Sequence, residues 1–159
     1  MLPESPLLNE AEVPSPSLLV YPDRIEENIR RTIARVGDPS RLRPHIKTHK
    51  LPQLVARQAE LGVVKIKCAT MAEAEMAAQA GAKDIVIAVQ LVGPNVARLL
   101  YLMRTYPHVA FATIADDLGA VAALGHVASA ARATIEVLLD LDVGMHRTGT
   151  KPDEAALDF

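Results

Sequence analysis

This sequence has one cysteine, Cys68, no tryptophan, and only five aromatic residues: Tyr21, Tyr101, Tyr106, Phe111 and Phe159. A lone thiol excludes an internal disulfide and makes a cytoplasmic location the simplest expectation. With so few aromatics, the core must be built from Val, Ile, Leu and Ala. That composition suits helices packed on parallel strands buried on both faces. Neither sign of charge dominates: the net charge is −2 and 23% of residues are charged. There is thus no electrostatic case for nucleic acid or an anionic membrane surface as partner. No stretch approaches the roughly 18 apolar residues that a membrane span needs. The first 17 residues contain Pro3, Pro6, Pro14 and Pro16 but no basic region or long apolar run, so they do not read as a signal peptide. A flexible arm over residues 1–16 is expected, followed by one domain over 17–159.

What is present alternates. Residues 17–21 read as a buried strand. A helix follows from Pro22, with Ile25, Ile29, Ile33 and Val36 at helical spacing and Gly37 as its stop. Residues 41–48 form the second expected strand. A helix from Pro52 carries Leu54, Val55 and Leu61 inward, and residues 63–69 are the third strand. Thr70 and Glu73 have the spacing of a capping box ahead of an alanine-rich helix that ends at Gly81. Strands at 84–89, 109–115 and 134–141 complete the pattern, with helices from Pro94 and over 117–131 between them.

Successive strands start roughly 20–25 residues apart, which argues for a parallel sheet with right-handed crossovers. A doubly wound sheet usually shows a glycine-rich phosphate loop after its first strand, and none is present. A (β/α)8 TIM-type barrel needs no such loop and places its chemistry at the C-terminal ends of its strands. The expected fold is therefore an α/β barrel, incomplete at about six strand-helix units, since a closed barrel takes about 250 residues.

Two stretches carry chemistry. The first, Arg43-Pro44-His45-Ile46-Lys47-Thr48-His49-Lys50, sits at the end of the second expected strand. Strand alternation puts Leu42, Pro44 and Ile46 on one face and Arg43, His45 and Lys47 on the other, toward a barrel interior. Lys47 is the most C-terminal of the inward three. Neighbouring cations and desolvation lower a lysine pKa and make the amine nucleophilic toward a carbonyl. A solvated basic strand end that binds an anion accounts for the same pattern. The second stretch runs from Leu139 to Gly149 and holds Asp140, Asp142, His146 and Arg147 among glycines. Arg147 suits a carboxylate or phenolate oxygen, and His146 suits a base or a ring stack. A polar turn capped by Asp142 is the structural alternative.

The octapeptide, followed by Lys67-Cys68-Ala69-Thr70 with Glu73-Ala74-Glu75 and then Gly144-Met145-His146-Arg147-Thr148-Gly149, resembles the D-threonine aldolase and D-serine dehydratase group. These are fold-type III pyridoxal-phosphate enzymes with a barrel like that of alanine racemase. The resemblance runs from about Pro16 to Gly149. It implies that Lys47 joins pyridoxal 5′-phosphate as a Schiff base and that Arg147 lies near the cofactor's O3′ and the substrate carboxylate. His146 joins these two as a catalytic candidate, and His45 and Gln90 are candidate cofactor-lining residues.

The implied activity is a lyase on β-hydroxy-D-amino acids, of the aldolase type that gives glycine and an aldehyde. D-serine dehydration or racemisation is the alternative within enzymes. A non-catalytic pyridoxal-phosphate-binding protein, or a chain completed by an assembly partner, is the alternative outside them. A divalent metal and a homodimer are implied for the longer family members. The metal ligands belong to a C-terminal β-domain absent here, so no residue of this chain is assigned to it. Isolated, the 159-residue chain is expected to be inactive.

Overall fold

The computed structural model describes residues 7–159, so the arm expected over 1–16 lies partly outside the described residues. Helix α1 spans Pro22–Val36, with proline in its first turn and Gly37 at φ +85° behind it. Proline suits that position because its missing N–H is one of the helix's orphan donors. Helix α2 is Pro52–Glu60 and strand β1 is Lys65–Cys68. Then α3 (Met71–Gln79), β2 (Asp84–Gln90), α4 (Pro94–Thr105), β3 (Ala110–Ala115), α5 (Leu118–Ala130) and β4 (Glu136–Leu139) alternate along the chain. The four strands form one wholly parallel sheet in the order β1-β2-β3-β4. This is an α/β fold and part of a barrel.

Register sets the two faces. Ile66 aligns with Ile85 and Phe111, and Cys68 with Ile87 and Thr113, so these side chains share the helix side. Against them pack Ala74 and Ala77 of α3, Leu99 and Leu102 of α4, Val55 of α2 and Leu124 of α5. The alanines of α3 let that helix lie close to the strands. Ile66, Ile85, Ile87, Leu99 and Leu102 are all fully buried, and each contributes about 2 kcal/mol of apolar burial. Lys67, Val86, Ala112 and Glu136 form a register row on the other face. All four residues of β4 are exposed, as befits a sheet edge with its next neighbour outside the pairing.

Helix α1 is amphipathic yet buries none of its residues. An ion pair from Arg57 of α2 to Glu26 tethers it, at 2.6 Å. Its own i,i+4 pairs, Arg30–Glu26 and Arg31–Glu27, are solvent-screened surface contacts that add little.

Two expected strands are not strands, so four of the six are present. Residues 17–21 have no ladder partner, and Leu18, Leu19 and Val20 are exposed. An apolar stretch cannot hold extended structure without a neighbour to take its backbone hydrogen bonds. Residues 41–48 pair with the sheet backbone at one point: Lys67 N–H donates to Pro44 C=O at 2.9 Å, with a single bridge between His45 and Lys67. Pro44 has no N–H to continue a ladder, and the chain turns into a 3-10 helix at Ile46–Thr48. Lys47 therefore sits in a tight turn rather than on a strand.

Alternation still places part of that stretch. Ile46 is fully buried on the helix side. Arg43 reaches inward and grips Asp84 with two 2.6 Å hydrogen bonds, one from each terminal nitrogen. A bidentate carboxylate partner is what an inward guanidinium requires.

Candidate functional site at the strand C-terminal ends

The turn that carries Lys47 is built from several small locks. His45 Nδ1 accepts from Lys47 N–H at 3.3 Å, and the His49 and Lys50 amides both donate to Ile46 C=O, at 3.2 and 2.9 Å. His49 Nδ1 accepts from Leu51 N–H at 3.1 Å. Lys50 takes a positive φ of 50° and pairs its ammonium with Glu73. Glu73 is 4% exposed, and its second oxygen accepts from Ala69 N–H at 2.8 Å. Thr70 Oγ1 accepts from Glu73 N–H at 3.1 Å. The capping box thus forms with its return bond moved one residue, from Thr70 to Ala69.

Charge around the turn follows from burial and these partners. Burial opposes ionisation of Glu73, but the Lys50 ammonium and the Ala69 amide outweigh it and hold the carboxyl below its ordinary range. Burial pushes the His45 imidazole below its ordinary value, and the Lys47 and Lys67 cations push the same way against Glu73. His45 is therefore neutral at pH 7. Burial lowers His49 as well. Burial pushes the Cys68 thiol up to about 12, which removes it as a nucleophile or a metal ligand.

A hollow of about 380 Å³ lies at the strand C-terminal ends, lined by Lys67, Gln90, Ile114, Asp116, Asp140 and Arg147 among others. Arg147 and Gln90 of the sequence candidates line it; Lys47, His45 and His146 do not. A larger hollow of about 550 Å³ lies under α1, walled by Ile25, Ile29, Leu42, Pro44 and Leu54. Its wall is mostly apolar, with Arg43 and His49 at it, whereas the smaller hollow gathers Lys67, Asp116, Asp140 and Arg147 and is the better candidate site.

Arg147 is carried by a loop with its own scaffold. Asp142 Oδ1 accepts from the Gly144 and His146 amides at 3.0 and 2.9 Å, and Asp142 Oδ2 lies 2.7 Å from His146 Nδ1. The His146 amide, then the Gly144 amide and the His146 ring, hold the Asp142 carboxyl below its ordinary range. His146 has a positive φ of 54°, and its ring points to solvent with the side chain 81% exposed. Asp142 N–H donates to Thr150 C=O at 2.8 Å, and Thr150 N–H to Asp140 C=O at 3.0 Å, closing the loop's neck.

Asp116 was not found by sequence reasoning; Lys67, Asp140 and Thr148 lay within the motifs read from the sequence but were given no role at the site. Asp116 directly follows β3 and Asp140 directly follows β4, and strand C-terminal position alone marks both. Glu73 was found only as a cap, because a partner 23 positions away in sequence leaves no local signal.

A parallel sheet with a charged hollow at its strand C-terminal ends defines a partial barrel of the kind that places its chemistry there. Residues 20–159 match the alanine racemase N-terminal domain, and the chain belongs to that family. It is 33% identical over 148 residues to the D-threonine aldolase of an Arthrobacter species, covering 92% of this chain and 38% of that protein. It is 31% identical over 144 residues to the D-threo-3-hydroxyaspartate dehydratase of Delftia sp. strain HT23, covering 90% and 37%. The crystal structure of D-threonine aldolase from Filomicrobium marinum superposes with a TM-score of 0.80 at 31% identity, covering 94% of this chain and 40% of that one. The chain thus spans less than half the length of each of these relatives.

Proposed function

We propose that this chain contributes the amine and guanidinium of a pyridoxal-phosphate-dependent lyase acting on β-hydroxy-D-amino acids, of the D-threonine aldolase type. One observation carries the reading. In the octapeptide Arg43 and Lys50 are held in ion pairs, whereas among the described residues Lys47 and Arg147 have none. Both of these cations are exposed, and Arg147 stands on the wall of the strand-end hollow, where its guanidinium is available to a ligand's anionic group. The residues present fit an anionic carbonyl cofactor: an exposed amine in a tight turn, a free guanidinium, and the amide of Gln90 on the hollow wall.

Lys47 would hold the cofactor's carbonyl carbon through its side-chain amine. Arg147 orients a phenolate or carboxylate oxygen through its fixed fork of donors. His45, kept neutral, accepts from the Lys47 backbone and holds the turn's shape rather than adding a third charge beside Lys47 and Lys67. Pyridoxal phosphate, when bound, supplies the ring that takes up the electron pair released at the substrate's α-carbon. His146 faces solvent and takes part only through a group outside the described residues. The divalent metal and the homodimer belong to this reading. Among the described residues no group of three or more His, Cys, Asp or Glu is placed to hold a metal, so no ligand is assigned here.

Borohydride reduction in the presence of pyridoxal 5′-phosphate is expected to leave the cofactor on the peptide carrying Lys47, and Lys47→Ala is expected to lose it. Labelling at Lys67 in its place would sink the assignment. Supplied with D-threonine, the full-length protein is expected to give glycine and acetaldehyde; ammonia and an oxo acid would favour the dehydratase reading that the second relative supports.

A further inference from the structure

Asp116 is not among the residues assigned above, yet it is the junction between the sheet and the Arg147 loop. Its amide donates to Gln90 Oε1 at 3.0 Å, which fixes the end of β3 to the end of β2. Its Oδ2 accepts from Gly149 N–H at 2.8 Å. Gly149 is two residues beyond Arg147, at the closed neck of the loop, with φ +96°. A Cβ there would come within 2.5 Å of Asp142 N and 2.7 Å of Leu141 C. The neck is therefore packed too tightly for any residue but glycine, and the Gly149 amide is spent on Asp116. Within the loop, the Asp142 bonds shape the tip but make no link to the sheet.

We infer that Asp116 is a positioning residue: its carboxylate anchors the Gly149 amide to β3 and so fixes where Arg147 stands at the strand-end hollow. The role Arg147 plays there rests on the reading under Proposed function; the anchoring does not. A hydrogen bond needs an acceptor at Oδ2, not a negative charge, so the amide of Asn serves nearly as well.

Two readouts test this in the full-length protein. Hydrogen exchange at the Gly149 and Thr150 amides is expected to quicken about tenfold in Asp116→Ala and to stay within about threefold of the parent in Asp116→Asn. Pyridoxal phosphate affinity is expected to fall about 10–100-fold in Arg147→Ala and about tenfold in Asp116→Ala. The double variant is expected to lose no more than Arg147→Ala alone, because one residue acts through the other. Unchanged exchange in Asp116→Ala overturns the anchoring. So does an Asn variant as damaged as the Ala variant, or a double variant whose losses multiply. Full affinity in Arg147→Ala, with exchange still responding to Asp116→Ala, rejects the cofactor role of Arg147 and leaves the anchoring standing.

Discussion

The turn from His45 to Lys50 and the loop from Leu141 to Thr150 solve one problem in two ways. Each leaves one cation without an ion pair while its neighbours are tied down. In the turn, the tie is a buried carboxylate from a distant element: Glu73 of α3 holds Lys50 and the Ala69 amide at once. In the loop, the tie is mostly local: Asp142 takes the amides and ring that follow it, Thr150 closes the neck onto Asp140, and Asp116 adds a side-chain link back to β3. A buried tie couples the turn to the stability of the whole domain. A local tie, made within a few residues of chain, lets the loop loosen while the domain stays folded.

That contrast can be broken most directly at Glu73. Glu73→Ala leaves the Thr70 cap in place but strands the part-buried Ala69 amide and frees Lys50, with an expected cost of about 3 kcal/mol, read as a lower urea midpoint. Asp142→Ala is expected to leave the midpoint nearly unchanged and to speed exchange in the loop alone. Equal midpoint losses for the two would erase the distinction. Gly149→Ala comes next, at about 2 kcal/mol, since its φ and the 2.5 Å approach to Asp142 N both resist a Cβ.

Lys50→Met is gentler. Its side chain is 58% exposed, so screening limits the pair and about 1 kcal/mol or less is expected.

Acid should separate the two regions further. Glu73 and Asp142 both have lowered pKa values in the folded state. Their contributions are complete above the unfolded carboxylate values near 4 and are lost as pH falls through the folded ones. Below about pH 4 the turn's loss is expected to appear in global unfolding and the loop's in local exchange. Circular dichroism and exchange, followed on one pH series, check this.

The smallest effect lies at His45. Its lowered pKa means that stability is lost as pH falls from about 6.5 through the folded value. Replacing Lys47 by Met removes one of the cations that depress it, so an NMR titration should show the His45 pKa move up. No movement would mean that burial and Lys67 set it without Lys47.

Much of the scaffold was legible in the chain because its determinants are local. Prolines at Pro22, Pro52 and Pro94, the Thr70 cap and the glycine at Gly37 announce helix ends within a turn of where they act. The strands 84–89 and 109–115 are continuous apolar runs, and both formed within a residue or two. The strands expected at 17–21 and 41–48 failed because a strand is a property of two segments. Neither stretch finds a continuous partner, and Pro44 breaks what pairing begins.

The octapeptide and the Gly144–Gly149 stretch were visible by composition, and with them Lys47 and Arg147. Which of their cations are free was not visible, because the partners of Arg43 and Lys50 lie 41 and 23 residues further along. The chain alone determined the helices, the alternation and the reactive residue types, since each depends on neighbours in sequence. Only the folded structure decided which charges are neutralised, that Lys47 rides a turn instead of a strand, and that Asp116 holds the Arg147 loop. Those outcomes depend on distances between residues far apart in sequence, and such distances exist only once the sheet has formed.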